Sequence, residues 1–228
     1  MIDLGYSTAE LTIGGVLARQ AYAKGGQVFL RFLPDGRKYT YVDLHFRSSR
    51  FGHIWFTDPI YGRTLARFGV LRPRALPFQG VFRLDPDGTL AAVATDFVQP
   101  NGLCLTAQET RLLVNDTSLR HIRSFDVDTD GALEGGAVFA IVVGEGEGNP
   151  DGLKVDSAGH VFCTGPGGVH VFDRPGVSLG VIRTPGKSAN FCFGGPDLDL
   201  FYIAATTSIY RVAIKTRGQC SMRANGSE

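Results

Sequence analysis

Apolar and polar positions along this chain form short strands, and two of them begin with the same three-residue pattern. The pattern is a proline, a short side chain with a carbonyl or carboxyl oxygen, and a glycine, at residues 100–102 and 150–152. An apolar strand follows each copy, so Asn101 and Asp151 are predicted to lie at equivalent strand entrances. A further round of the pattern begins around Asn190.

The segments after each entrance also recur, as a turn, a second strand and a third strand that ends in Phe-Asp. The turns are at 107–110 and 156–159, the second strands at 111–115 and 160–163, and the Phe-Asp pairs at 125–126 and 172–173. Successive entrances are about 50 and about 40 residues apart, the period of four-stranded propeller blades. We therefore predict an all-β chain of propeller blades.

The regions flanking these repeats are less regular. Residues 27–32 and 39–44 predict a hairpin, but the other residues of this region show no clear period, and 1–51 is predicted to be an atypical N-terminal segment. After a strand predicted at 52–59, the segment 60–77 is predicted to be a long loop, and long loops in compact domains tend to cover functional sites. Strands are also predicted at 81–84, 89–94, 200–203 and 208–212, and a frayed tail at 221–228.

Three polar or glycine-rich segments predict turns and loops. The Asp-rich run 126–131 lacks the Glu of a calcium loop and lies between strands, which favours a solvated turn. Residues 165–168 lack the Lys and following helix of a phosphate loop, which favours a β-turn. Residues 144–148 predict an exposed flexible loop, unless Glu145 or Glu147 reaches the same site as Asp151.

Composition narrows the class of protein. The chain has 228 residues, of which 43% are hydrophobic and 20% charged, and contains no linker-like stretch, so a single folded domain over 1–228 is expected. A net charge of +1 argues against nucleic acid and anionic membranes as partners, because both require a concentrated basic face. A small, nearly neutral ligand fits better.

Cysteines and histidines give no metal or disulfide signal. The cysteines form no CxxC pair and are expected to be buried free thiols of a reducing compartment. The histidines share no ligand spacing and are expected at surface or turn positions. The cysteines are Cys104, Cys163, Cys192 and Cys220, and the histidines are His45, His53, His121, His160 and His170. Without a signal peptide or an apolar membrane span, a cytoplasmic location is expected.

A series of motifs over about residues 52–215 resembles the family of senescence marker protein (regucalcin), gluconolactonase and luciferin-regenerating enzyme. The motifs are Ile54-Trp55-Phe56-Thr57-Asp58-Pro59 with Tyr61-Gly62, Phe78-Gln79-Gly80-Val81, Pro100-Asn101-Gly102-Leu103, Pro150-Asp151-Gly152-Leu153-Lys154-Val155-Asp156 and Thr164-Gly165-Pro166-Gly167-Gly168-Val169. The resemblance implies a six-bladed β-propeller that hydrolyses sugar lactones.

The resemblance also implies one divalent cation, Ca²⁺ or alternatively Zn²⁺, Mn²⁺ or Mg²⁺, at the central mouth of the propeller. In the family its protein ligands are an N-terminal Glu, an Asn before the IWFTDP strand, the Asn of PNGL and the Asp of PDG. Asn101 and Asp151 match the last two, whereas residues 44–51 contain no Asn and no Glu-Gly-Pro strand opens the chain. We therefore expect an incomplete or altered N-terminal part, in which no side chain from residues 1–50 completes the ion's ligand shell and activity requires millimolar metal.

The chemistry expected of Asn101 and Asp151 follows from their oxygens, which suit hard divalent cations. A cation there would polarise a lactone carbonyl, and Asp151 is the candidate catalytic residue because it could orient or deprotonate the attacking water. The alternative is that both side chains only satisfy backbone groups in their turns. Asp58, Gln79 and Asn190 are candidate substrate-binding residues, although Asp58 and Asn190 could equally cap strand ends.

Three hypotheses for the whole chain remain open from the sequence. The first is a metal-dependent lactonase acting on a small-molecule lactone or ester. The second is a non-catalytic propeller that binds a small ligand or protein after losing its N-terminal metal ligands. The third is a fragment or a shifted reading frame before about Gly52. The oligomeric state is left open.

Overall fold

The computed structural model describes residues 53–66, 71, 73–74 and 76–219, together with the backbone of residues 28–31 and 38–40. Within these residues the secondary structure is almost entirely β. The elements are β1 (Val28–Arg31), β2 (Lys38–Thr40), β3 (Ile54–Asp58), α1 (Tyr61–Thr64), β4 (Gln79–Leu84), β5 (Leu90–Phe97), β6 (Pro100–Leu105), β7 (Arg111–Asp116), β8 (His121–Val127), β9 (Leu133–Ile141), β10 (Leu153–Val155), β11 (Val161–Gly165), β12 (Gly168–Phe172), β13 (Ser178–Arg183), β14 (Ser188–Gly194), β15 (Leu200–Ala205) and β16 (Ser208–Ala213).

Neighbouring strands along the chain pair with each other into successive sheets. β6–β9 and β10–β13 are four-stranded, β3–β5 and β14–β16 are three-stranded in the described residues, and β1 pairs with β2. The pairings of β1 with β2 and those within β6–β9, β10–β13 and β14–β16 are antiparallel. The two four-stranded sheets are the two repeats predicted from the entrances at Asn101 and Asp151. Among the described residues, no helical segment has the length and apolar composition of a membrane span.

The chain divides into two compact units, one of residues 1–56 and 82–92 and one of residues 57–81 and 93–228. In the second unit, two apolar clusters join consecutive sheets. One consists of Leu113, Ile122, Ala140, Val142, Leu153, Val155, Val161, Cys163 and Phe172. The other consists of Phe162, Val169, Phe191, Phe201 and Ile203. Sheet β10–β13 therefore buries one face against β6–β9 and the other against β14–β16, which fixes the spacing of the three entrances.

The predicted turns are confirmed. Pro166 and Gly167 form the two-residue connection between β11 and β12. The Asp-rich run is a turn between β8 and β9, in which the Asp128 carboxylate accepts hydrogen bonds from the backbone N–H groups of Asp130 at 2.9 Å and Ala132 at 2.7 Å. The predicted N-terminal hairpin is confirmed where β1 pairs with β2, and its turn and residues 41–44 lie outside the described residues.

Two expectations from residue type are wrong in part. Cys163 is buried as expected, but Cys192 is exposed because its side of β14 faces solvent. His170 is buried within β12 rather than at the surface, and its Nε2 atom lies 3.0 Å from the Pro166 carbonyl oxygen. A neutral imidazole tolerates such burial when the fold supplies a carbonyl acceptor. Cys220 and His45 lie outside the described residues.

Candidate functional site

The structure links the predicted strand entrances through a chain of hydrogen bonds. The Thr57 hydroxyl at the end of β3 donates to the Asn101 carbonyl oxygen at 2.8 Å. The Asn101 side-chain amide in turn lies 3.2 Å from the Thr117 hydroxyl oxygen, and that hydroxyl donates to the Pro150 carbonyl oxygen at 2.6 Å. Pro150 immediately precedes Asp151. The start of β6 and the segment leading into β10 are therefore fastened together at one end of the two sheets.

The glycine of each entrance pattern lets the next sheet approach closely. A Cβ atom on Gly102 would lie only 2.0 Å from the Asp151 carbonyl oxygen. A Cβ atom on Gly152 would lie 2.7 Å from Asn190 Oδ1 and 2.9 Å from Asn190 Cα. Since no side chain fits at these distances, glycine is required at both positions. The sequence pattern thus places Asn101, Asp151 and Asn190 in successive, closely approaching entrances.

The main-chain groups of Asp151 are engaged by two fully buried side chains. Its N–H donates to the Thr164 hydroxyl oxygen at 3.0 Å, and its carbonyl oxygen accepts from the Asn115 amide at 2.8 Å. The Asp151 carboxyl is not an acceptor for the backbone of its turn in the described structure, and hydrogen bonding with the Asn101 side chain lowers its pKa.

Asp116 illustrates the structural role that an aspartate has when it serves the backbone. Its side chain is fully buried, and its two oxygens accept the N–H groups of Val98, Gln99, Ser118 and Leu119 at 2.8 to 3.0 Å. Asp151 makes no comparable set of contacts among the described residues. The contrast favours a role for Asp151 outside the backbone of its turn.

Two ionisable side chains at these entrances, Asp151 and Tyr61, have pKa values that their surroundings shift. Burial raises the pKa of Asp151, and the charge of Lys187, hydrogen bonding from Asn101 and the charge of Lys154 oppose that rise. Burial likewise raises the pKa of Tyr61, where hydrogen bonding with Thr117 lowers it and the Asp151 charge raises it further. A half-buried carboxylate that is costly to ionise is a favourable position for a bound cation.

The oxygen ligands at this site are of the type that hard divalent cations prefer, but only two side chains supply them. Asn101 supplies an amide oxygen and Asp151 a carboxylate, the ligand types that Ca²⁺ and Mg²⁺ prefer. In the part of the chain that the structure describes, no three residues among His, Cys, Asp and Glu converge as a metal cluster. Asn101 and Asp151 can therefore serve as two ligands of an ion that takes further oxygens from solvent or substrate.

Gln79 and Asp58 occupy different environments from this pair. Gln79 is buried, its Oε1 accepts the Ile60 N–H at 2.9 Å and its amide donates to the Val98 carbonyl oxygen. Gln79 therefore holds the start of α1, whose first residue is Tyr61. Asp58, the last residue of β3, is exposed.

The remaining candidates lie on loops and an exposed strand. Asn190 is exposed, and its Oδ1 both borders Gly152 and accepts the Phe191 N–H at 2.9 Å. Glu145 and Glu147 are exposed, and their loop is fixed through the Glu147 carbonyl oxygen, which accepts the Gly167 N–H at 2.9 Å. The prediction of an exposed loop is confirmed, and the structure gives no contact between either glutamate and Asp151.

Sequence reasoning missed several members of this site, namely Tyr61, Asn115, Thr117 and Lys187. The polar run Asn115-Asp116-Thr117 directly after the apolar Leu112-Leu113-Val114 was an available signal, because polar residues at the end of a buried strand need specific partners. Tyr61 lies in one of the family-like motifs, but no local pattern links it or Lys187 to Asp151, since their influence on that carboxyl arises only through folding.

A separate cavity of about 160 Å³ opens at the opposite end of the same strands. Gln108 and Ser157, from the turns that follow β6 and β10, line it together with Arg111 at the start of β7 and Arg174 after β12. It shares no lining residue with the site around Asp151.

Comparison with known proteins assigns the family. The sequence profile of the SMP-30/gluconolactonase/LRE-like region matches residues 25–207, most of the chain. The chain belongs to the SMP-30/gluconolactonase/LRE-like family. Solved members of this family are β-propellers, which confirms the all-β propeller prediction and leaves the blade count as a prediction.

Relatives within the SMP-30/gluconolactonase/LRE-like family include named lactonases. A gluconolactonase of Zymomonas mobilis is 35% identical over 185 residues, covering 77% of this chain and 51% of the relative. Pentonolactonase XacC of Haloferax volcanii is 38% identical over 127 residues, covering 54% and 43%. The structure of a gluconolactonase from Xanthomonas campestris matches with a TM-score of 0.66 and 35% identity, covering 72% and 54%. The chain thus spans about half the length of these relatives.

Proposed function

We propose that this protein is a divalent-metal-dependent lactonase that opens small sugar lactones to hydroxy acids. The observation that carries the proposal is the half-buried Asp151 carboxyl next to Asn101, at the entrances of two adjacent sheets. The names of the relatives support a lactone as the substrate class. They favour this function over a non-catalytic propeller.

The residues of the site suit ester hydrolysis by water. Water attacks the lactone carbonyl carbon, and the Asp151 carboxylate accepts a proton from that water. The ring carbon–oxygen bond then breaks, and the ring oxygen takes up a proton to become the hydroxyl of the product acid. In the absence of a cation, burial raises the pKa of Asp151, which favours proton acceptance by its carboxylate.

The remaining groups bind and orient the substrate. Asn101 and Asp151 would hold the divalent cation, which when bound supplies Lewis-acid polarisation of an ester carbonyl. The Tyr61 hydroxyl is a further candidate for contact with a sugar, because hydrogen bonding with Thr117 and Asn101 and the charge of Asp151 all act on its ionisation. Lys187 adds positive charge close to the carboxyl, which suits the negative charge of the product.

The test is hydrolysis of glucono-1,5-lactone, followed by proton release in weakly buffered solution with Ca²⁺, Mn²⁺, Mg²⁺ or Zn²⁺ added to chelator-treated protein. We expect activity with at least one ion and a loss of 100-fold or more in kcat/KM for Asp151→Ala, the order of magnitude for removing a proton acceptor. Asn101→Ala should chiefly raise the metal concentration needed for half-maximal activity.

The matched control is Asp128→Ala, because Asp128 is an exposed aspartate in the turn between β8 and β9. It should keep wild-type kcat/KM. Full activity of Asp151→Ala would refute the mechanism, and no activity of wild-type protein with any of the four ions would refute the proposed function.

A further inference from the structure

Asn115 connects the two proposed metal ligands through their backbones. It lies near the end of β7 and is fully buried. Its Oδ1 accepts the N–H of Gly102 at 3.1 Å, and its Nδ2 donates to the carbonyl oxygen of Asp151 at 2.8 Å. The same Nδ2 lies 3.4 Å from the Cys163 sulfur. A single side-chain amide therefore hydrogen-bonds to two backbone groups. One is the N–H of Gly102, which follows Asn101, and the other is the carbonyl oxygen of Asp151.

These two bonds bridge neighbouring sheets. Gly102 belongs to β6, whereas Asp151 precedes β10 in the next sheet. The register of β6 against β7 shifts between Pro100 and Leu103, so the ladder does not fix this stretch regularly. The Asn115 amide supplies the Gly102 N–H with an acceptor at this irregular point. It thereby sets the spacing between the backbones that carry the Asn101 and Asp151 side chains.

The requirement at this position is specific to asparagine. The site needs an acceptor for Gly102 and a donor for Asp151 on one short side chain, which leucine cannot supply and aspartate supplies only in part. The fit is tight, since a Cβ atom on Gly102 would lie 2.9 Å from the Asn115 amide nitrogen. Removal of this amide would leave a buried N–H and a buried carbonyl oxygen without partners, which the fold can relieve only by moving the two backbones.

We propose that Asn115 is a positioning residue that holds Asn101 and Asp151 at the separation needed to share one divalent cation. The inference rests on the proposed function. Partners that orient metal ligands from outside the ligand shell typically change metal affinity or activity by 10–100-fold when they are removed. Asn115 should therefore act on metal affinity rather than on the chemical step.

The experiment compares Asn115→Leu with Val114→Ala in the full chain. Leucine has a similar volume and removes both hydrogen bonds, whereas Val114→Ala opens a small cavity at the neighbouring, fully buried position of β7 and leaves the amide in place. Mn²⁺ is the probe. Its affinity is measured by calorimetry, and kcat for glucono-1,5-lactone is measured as a function of Mn²⁺ concentration. Hydrogen exchange of the Gly102 amide is measured in parallel.

For Asn115→Leu we expect the Mn²⁺ Kd to rise by roughly 10-fold or more. Saturating Mn²⁺ should restore kcat to within about 2-fold of wild type, and the Gly102 amide should exchange faster. Val114→Ala should keep the wild-type Kd when each variant is measured at the same interval below its own Tm. Wild-type Mn²⁺ affinity in Asn115→Leu, or an equal loss in both variants, would overturn the inference while leaving the proposed function intact.

A different result would concern the proposed function instead. If wild-type protein neither binds Mn²⁺ nor hydrolyses the lactone, the proposed function fails. The role of Asn115 in setting the distance between the two backbones is then tested only by hydrogen exchange of the Gly102 amide. Unchanged exchange in Asn115→Leu would overturn that role too, and faster exchange would support it.

Discussion

The charge of Asp151 should cost the protein stability when no metal is bound. Because burial raises the pKa of this carboxyl in the folded state above its unfolded value, its contribution to stability is present at low pH and is lost as the pH rises through the folded pKa. At pH 7, in the presence of a chelator, Asp151→Asn should therefore raise the Tm, by roughly one or two degrees. Differential scanning calorimetry measures this change in Tm.

The same variant should lose its lactonase activity, which would place Asp151 among residues that serve function at the expense of stability. Asp116→Asn is the contrasting change, because that carboxylate accepts backbone N–H groups and its loss should lower the Tm. A lower Tm for Asp151→Asn in chelator would contradict the electrostatic argument.

His170 should make the fold sensitive to mild acid. Burial lowers the pKa of this imidazole, so the unfolded chain binds a proton more readily than the folded one. Its contribution to stability is therefore present above the unfolded pKa of about 6.5 and is lost as the pH falls below that value. His170→Gln, which keeps a side-chain donor for the Pro166 carbonyl, should show a smaller drop in the urea midpoint between pH 7 and pH 5 than wild type. Parallel pH profiles for the two proteins would show that His170 is not responsible.

At the scale of elements, the close approach of neighbouring strand entrances depends on glycine. Gly102→Ala places a Cβ atom 2.0 Å from the Asp151 carbonyl oxygen, so one of the two backbones must move. We expect a loss of unfolding free energy of about 2 kcal/mol or more, together with loss of activity. Urea denaturation and the lactone assay measure the two effects.

Gly144→Ala is the matched control, because the nearest atom to its Cβ would be His170 Cε1 at 3.4 Å, an ordinary contact distance. It should change stability by less than about 0.5 kcal/mol. If Gly102→Ala changes the unfolding free energy as little as Gly144→Ala, then glycine at the strand entrances is not required by the close approach of the two backbones.

At the scale of the whole molecule, we predict that residues 1–228 unfold as one domain although the chain divides into two compact units. The boundary between the units falls within strands β3, β4 and β5 rather than in a linker. Calorimetry should therefore give one transition whose calorimetric and van't Hoff enthalpies agree. Two resolved transitions would instead assign the units to separate domains.

The sequence predicted the strand repeat, the turns and the pair Asn101 and Asp151 because these depend on local rules. Alternation of apolar and polar residues identifies strands, and Pro and Gly mark where they begin and turn. The same local rules misplaced Cys192 and His170. Residue type alone states an average preference for burial, and the neighbouring strand decides which face of β12 or β14 is covered.

The sequence by itself determined the strand order, the family resemblance and the candidate oxygens, since all of these follow from patterns within a few tens of residues. Only the tertiary structure decided that Tyr61, Thr117 and Lys187 gather around Asp151 and that Asn115 bridges Gly102 and Asp151. Asn115 and Asp151 are 36 positions apart in the chain. Their contact exists because two sheets pack face to face around a shared apolar cluster, and no local pattern records which buried amide that packing brings to which carbonyl.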